Sequence, residues 1–430
     1  MKLLRVEPVD PVMTRDGRPF GDTPGATAYI MDSITPGVVA GTIRMLLVKE
    51  WLGEGRTRPL SEAAKHFLKQ TRIAGPLLEW KDHIYYPMPK DLLFYEEQGK
   101  LKAEALRPQK LNPGEGYFGV SVEGRLSDSL HPVDVPHSGK PYANSPAFLR
   151  EDWLHRWLKG TISADEWVSV LNTWDEWLTY SGKEAAPPDS PFLRPYEQEA
   201  RVHNAIDATT GRVEEGKLFS TAALRFYPGV ALLAGVMMEN ESEGSGRLAA
   251  VHSMGGKRRL SYFQEMDWPG ERPFPWTCPE DVAHSLREAR PGDMLRMTLA
   301  TPAYFDKGWR PRWVDAQFRT TKEFHELWNL PDSVEELKLE LVWACTDRWQ
   351  PISGWNYSRT QQEGREKPVR RMVPAGSVYF FKIIAGDAGI LAEHWLDSVS
   401  DTTRREGPLD KEDGFGMAMW GVESKREDVK

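Results

Sequence analysis

Cysteine is all but missing from this chain, with Cys278 and Cys345 the only two in 430 residues. That scarcity excludes a disulfide framework and any cysteine-rich zinc site. Long apolar runs are missing as well. The longest, Val230 to Met238, has nine residues, far short of the roughly 20 that a membrane-spanning helix needs. The N-terminal MKLLRVEPVD meets acidic residues and proline before the apolar region of an export signal can form. A cytoplasmic protein with no membrane association is therefore expected. Common catalytic signatures are also absent: the chain has no HExxH, no CxxC, no GxSxG and no Walker lysine loop. An excess of positive charge is lacking too. The net charge is −8, which taken alone argues against nucleic acid, because phosphate binding needs Lys and Arg to displace counterions.

The distribution of that charge tells more than its sum. Residues 151–200 carry ten acidic and four basic residues, and residues 319–340 carry six and three. These two segments account for −9, so the other 358 residues net +1 and are free to form basic patches. With 40% apolar residues the chain can fill real cores, and its length suggests two or three domains.

Periodicity gives a coarse map. Leu3 to Val6 reads as a strand, followed by the polar loop TRDGRPFGDTPG. Thr35 as N-cap and Pro36 at the first position open a helix with Val39, Ile43, Leu46 and Leu47 on one face, ended by Gly53. A second helix starts at Ser61, and a β-meander with long loops runs from Ile84 to Val122. Residues 151–180 are the clearest helical region. Ser163 and Glu166 form a capping box, and Trp167, Leu171, Trp174 and Leu178 form a stripe expected to be buried. AAPPDSPFLRP (185–195) reads as a boundary or linker. Residues 218–226 and 230–238, split by Pro228-Gly229, read as a hairpin. A helix capped by Thr277 with Glu280, strands at 294–301, 337–345 and 377–384, a short helix near 388–397 and a last strand at 417–422 follow. The pattern predicts α+β with antiparallel sheets, one per half.

Three glycine-and-cation loops stand out. MGGKRRL places Gly255 and Gly256 before Lys257, Arg258 and Arg259. Glycines let backbone amides approach an anion, and cations add charge-assisted bonds to phosphate oxygens. ATPAYFDKGWRPRW mixes Tyr304, Phe305, Trp309 and Trp313 with Lys307, Arg310 and Arg312, and aromatic faces of this kind stack unpaired bases. The segment 354–376 adds Trp355, Tyr357 and five cations, Arg370 and Arg371 among them. Each loop alone reads as solvated surface; three beside strand ends point to single-stranded or irregular RNA. His131, Asp134 and His137 in HPVDVPH sketch a metal site, but a proline-laced loop with solvated histidines is the better reading, and no metal or cofactor is expected. GFGMAMWG (414–421) begins like a dinucleotide fingerprint and fails at Met419.

These motifs in this order also resemble a known family. TRDGRPF, the TPGVVAGTIRMLL helix, RVHNAIDATTGRVEEGKLFST, GGKRRL, TPAYFDKGWRP, SGWN with PVRRMVPAGSVYFF, and GFGMAMWG are similar to the third subunit of Cmr complexes, the RAMP proteins of type III-B CRISPR machines. The resemblance implies two ferredoxin-like (RRM-like) domains, here 1–200 and 201–430, with a helical insertion at about 125–200. It implies no catalytic residues. The implied role is to bind the crRNA 5′ tag, docking on the large polymerase-like subunit and on neighbouring RAMP subunits. The implied RNA contacts are Gly414, Gly416 and Gly421, Gly255 to Arg259, Tyr304, Phe305, Trp309 and Arg310, with Arg15, Arg18 and Arg44 facing the same region. A metal-independent endoribonuclease of the same superfamily is the alternative. It wants a histidine general base near the first helix, whereas the first histidine here is His66 and the expected loop reads RDGRPF. A purely structural partner is the third possibility.

Overall fold

The computed structural model describes residues 1–15, 26–53, 60–112, 121–122, 125–126, 130–134, 139–180, 184–238, 246–328, 337–353, 369–401 and 413–423. The chain is α+β with several antiparallel sheets. The largest has eight strands, in the order Phe192–Leu193, Phe148–Arg150, His83–Pro87, Arg72–Trp80, Ala231–Met237, Lys2–Pro8, Leu260–Met266 and Ala249–Ser253. The longest apolar run of the sequence is its central strand. Ala231 to Val236 are all buried, because strands on either side and layers on both faces leave that strand no wet side. The helix Pro36–Trp51 packs on the sheet through Val39, Ala40, Ile43, Leu46 and Leu47. It connects Lys2–Pro8 to Arg72–Trp80, and Ala231–Met237 lies between these two strands, antiparallel to both.

A second sheet has the order Lys338–Cys345, Val378–Ala385, Met294–Leu299, Ala418–Val422. It buries Trp313, Phe324, Phe381 and Trp420, with Trp313 4.9 Å from Phe324 and 5.7 Å from Phe381. Aromatic side chains of this size bury the most apolar area per residue and dominate such a core. Among the described residues a long hairpin, Tyr196–Ile206 with Val213–Phe226, forms a third sheet by parallel pairing with Ala26–Ala28.

Buried charges tie these parts together. Arg296 is fully buried, donates from Nη1 to the Trp157 carbonyl at 2.6 Å, and pairs with Asp91 at 2.9 Å and with Glu423. Arg107 completes the set on Glu423 at 2.6 Å. Burial pushes the Asp91 carboxyl up to about 6, the cost of holding a carboxylate away from water.

Several expectations are corrected. Residues 218–226 and 230–238 do not pair with each other. The first belongs to the long hairpin and the second is the centre of the large sheet, so Pro228-Gly229 is a crossing between sheets. The proline-rich segment is no linker: Ala185, Ala186, Phe192 and Leu193 are buried, the last two as an edge strand. The helical region is two helices, Glu151–Leu158 and Ala164–Tyr180. The capping box forms, with the Ser163 amide donating to Glu166 at 2.9 Å and the Glu166 amide donating to Ser163 at 3.2 Å. Trp167, Leu171 and Trp174 are buried as expected, with Trp177 rather than Leu178 closing the stripe. The later helix begins at Glu280 after Pro279, and Thr277 does not cap it. The meander divides: His83–Pro87 joins the large sheet, while Leu92–Glu97 and Lys100–Ala105 form a hairpin of another. The large sheet takes strands from both sides of residue 200, and the second begins only at Met294, so a division at 200/201 does not follow the sheets.

Candidate nucleic-acid interface

The glycine-rich segment is a packing device. Gly414 has φ +87° and Gly416 φ +71°, a backbone region that side chains rarely adopt. A Cβ on Gly414 would overlap the Gly75 carbonyl oxygen, and one on Gly421 would lie 2.6 Å from the Leu158 carbonyl oxygen. All three glycines are buried, so they set how closely the C-terminal strand approaches the rest of the protein. They offer no open cradle to RNA. Arg44 is likewise interior, 7% exposed, with Nε donating to the Thr71 carbonyl at 2.9 Å and the guanidinium paired to Asp413. Its expected place among the surface cations is withdrawn.

The GGKRRL loop is open on its charged side. Its glycines dock on the N-terminal strand region: the Gly256 amide donates to the Met13 carbonyl at 2.7 Å. That amide is therefore spent on protein, and the expected backbone nest gives way to the side chains. Lys257 and Arg258 are exposed and Arg259 is half-buried, and among the described residues none of the three is paired with a carboxylate. The Lys257 Nζ sits 5.4 Å from the centroid of the Phe219 ring, on which His203 stacks at 5.1 Å. Burial first, then Lys257, Arg201 and Arg259, lower the His203 pKa from its ordinary value. Reading the sequence missed His203, Phe219 and Arg201. Strand alternation was the available signal: 201 and 203 lie two apart, and facing strands place 203 opposite 219.

The aromatic loop splits into interior and surface. Tyr304 is 9% and Phe305 1% exposed, Phe305 packing edge-on against Tyr379 at 6.0 Å. Neither is an open stacking face. Trp309, 41% exposed, lies 6.4 Å from Phe318 and nearly parallel to it. Arg310 covers the same ring at 5.8 Å and donates to the Asp315 carbonyl at 2.6 Å. The buried Asp401 carboxylate shapes this loop by accepting the Asp306 amide at 2.7 Å and the Arg312 amide at 3.0 Å. Burial pushes its pKa up to about 6 against the pull of those amides.

Arg370 and Arg371 lie on a short strand paired with Gln350–Ile352. Arg371 sits over the half-exposed Trp349 ring at 4.9 Å, and Arg370 over Phe415 at 5.8 Å. Arg15 is exposed and bridges to Ile30. Arg18, His137, Trp355 and Tyr357 lie outside the described residues. Among the described residues no cluster of three or more His, Cys, Asp or Glu is placed to hold a metal ion, and no helix is long and apolar enough to cross a membrane.

A connected framework joins the basic loops. Met13 accepts from Gly256, Thr14 accepts the Met31 amide at 2.8 Å, and Met31 is buried with Tyr304, Ile352, Met372 and Phe415. The N-terminal segment 13–15 and 30–31 thus backs the cations of the first loop and links them to the strand that carries Arg370 and Arg371. What the sequence scattered over 360 residues, the fold sets on adjoining supports.

Comparison with known proteins adds the family. No curated protein matches the chain. Solved structures that it resembles include a chain of the Type III-B Cmr-beta bound to cognate target RNA, at 13% identity and TM-score 0.44, covering 97% of this chain and 96% of that one. The same assembly bound to target RNA and AMPPnP gives 13% and 0.43, covering 91% and 87%. A chain of the Csm3-Csm4 subcomplex of the type III-A interference complex gives 12% and 0.34, covering 90% and 94%. A model of the CRISPR-associated protein family Cas_Cmr3 matches residues 4–423. With nearly its whole length matched, the chain belongs to the Cas_Cmr3 family of CRISPR-associated proteins.

Proposed function

We propose that this protein is a non-catalytic RNA-binding subunit of a type III-B CRISPR effector complex in the cytoplasm. In this reading it holds the 5′ tag of crRNA and bridges to the large polymerase-like subunit and to neighbouring RAMP subunits. The observation that carries it is the set of exposed Lys257 and Arg258 with half-buried Arg259, unpaired with any described carboxylate and backed by the N-terminal segment. Exposed cations beside half-exposed aromatic rings suit a nucleic-acid backbone with unstacked bases. Family membership supplies the setting.

The proposed architecture is two ferredoxin-like domains. In the large sheet, Leu260–Met266, Lys2–Pro8, Ala231–Met237 and Arg72–Trp80 stand in the order fourth, first, third, second. The second sheet repeats that order with Ala418–Val422, Met294–Leu299, Val378–Ala385 and Lys338–Cys345. The helices between 151 and 180 and the strands Phe148–Arg150 and Phe192–Leu193 are then an insertion covering one end of the first domain. Purification of the tagged protein from its host, with sequencing of bound RNA and identification of bound subunits, tests the function. RNAs sharing one repeat-derived 5′ end are expected. Recovery without RNA, or discrete metal-independent cleavage of repeat RNA that a single substitution abolishes, would overturn it.

A further inference from the structure

Toward the turn of the long hairpin an imidazole lies beside cations. His203 and Phe219 are directly opposite on the two strands and stack at 5.1 Å with 20° between the rings. Lys257 reaches the same Phe219 ring from the GGKRRL loop. Arg201, two residues along the hairpin strand, is held by Glu199. Arg259, half-buried two residues past Lys257, adds to the charges that hold the His203 pKa down. The third strand packed here, Ala26–Ala28, brings no titratable group. Among the described residues the charges that act on His203 are Lys257, Arg201 and Arg259, and Arg201 is engaged by Glu199, which also pairs with Arg225.

We propose that His203, Lys257 and Arg259 form a proton-linked phosphodiester site, where RNA binds more tightly when the imidazole is protonated. The inference rests on the RNA-binding reading above and adds the site and its regulation. Two features of the geometry support it. A neutral imidazole beside uncompensated cations resists a proton, and a bound phosphate removes that resistance by supplying the missing negative charge. The partner of His203 also tolerates the change. Nε2 lies 2.8 Å from the Thr221 hydroxyl, which donates to a neutral ring nitrogen and accepts from a protonated one. The proton enters from solvent and leaves when RNA leaves, so linkage requires affinity to rise as pH falls.

The test uses the full chain and a fluorescein-labelled oligouridylate about twelve nucleotides long, with anisotropy titrations from about pH 8 to about pH 5.5. Wild-type affinity is expected to rise about tenfold more over that range than H203Q affinity, since one pKa unit of linkage is a factor of ten. H203N serves as the second variant, and circular dichroism checks that both are folded. Ring proton–carbon correlation spectra should show the His203 pKa rising when the oligonucleotide is added. A pH profile in H203Q matching that of wild type, or a ring pKa unmoved by RNA, would overturn the site while leaving RNA binding in place. No binding by the wild type at any pH would overturn both the site and the reading it rests on.

Discussion

Arg44 and Asp413 are paired inside the protein, joining the first helix to the segment that begins the glycine-rich turn 369 residues later. The helix pattern of the sequence places Arg44 correctly on Pro36–Trp51. What it does not show is that the side chain points inward. The pair anchors Gly414 against Gly75, so an arginine expected to touch RNA instead holds the turn in register.

Replacement of Arg44 by Met should take the Arg44 guanidinium away from the buried Asp413 carboxylate. Breaking a buried pair from one side costs about 3–5 kcal/mol. Urea unfolding of R44M should show a loss of that order, and a loss under about 1 kcal/mol would mean that the pair behaves as a surface one.

The turn itself is the second target. In G414A a methyl group meets the Gly75 carbonyl oxygen at a positive φ, with an expected cost of at least about 2 kcal/mol. Thermal unfolding of G414A alongside G270A, where a Cβ meets nothing, separates the packing role from a generic glycine effect.

Trp309 and Phe305, four residues apart, should behave oppositely. W309A removes a half-exposed face and should weaken RNA binding by about 1–3 kcal/mol per stacked base with little loss of stability. F305A empties a buried site and should cost about 3–5 kcal/mol in unfolding free energy. Equal RNA defects in folded W309A and F305A would remove the distinction.

Charge reversal of Lys257, Arg258 and Arg259 together should weaken crRNA retention by the assembled complex. Each lost phosphate contact lowers the slope of log affinity against log salt by about 0.7 for a single strand, so the triple variant should lose about 2. An unchanged slope would place these cations away from RNA.

Asp401 gives a pH prediction with a definite sign. Its folded-state pKa is raised to about 6 from 3.8, so the folded state holds the proton longer than the unfolded one. That contribution is fully present below the unfolded value and is lost as pH rises through the folded value. The stability of wild type relative to D401N should therefore fall as pH rises from about 4 to about 6. Parallel pH profiles of the two proteins would refute it.

Local pattern fixed much of the secondary structure. The Pro36 helix, the Ser61 cap, the Ser163–Glu166 box and the tryptophan stripe follow from neighbours three or four residues apart, and all are present. The same is true of the α+β class and of the motif order that pointed to the family now shown. Only the tertiary structure decided which way each motif faces and what each strand pairs with. Two strands separated by Pro228-Gly229 look like a hairpin in sequence, yet partners more than 150 residues away from Ala231–Met237 won, because burying that strand on both faces removes more apolar surface from water. Glycines next to cations look like an anion cradle, yet the Gly256 amide was claimed by the Met13 carbonyl, while Gly414, Gly416 and Gly421 were claimed by close packing. The short-range code carries propensity. Burial and charge compensation, which separate Arg44 from Lys257 and Phe305 from Trp309, arise only when distant segments meet.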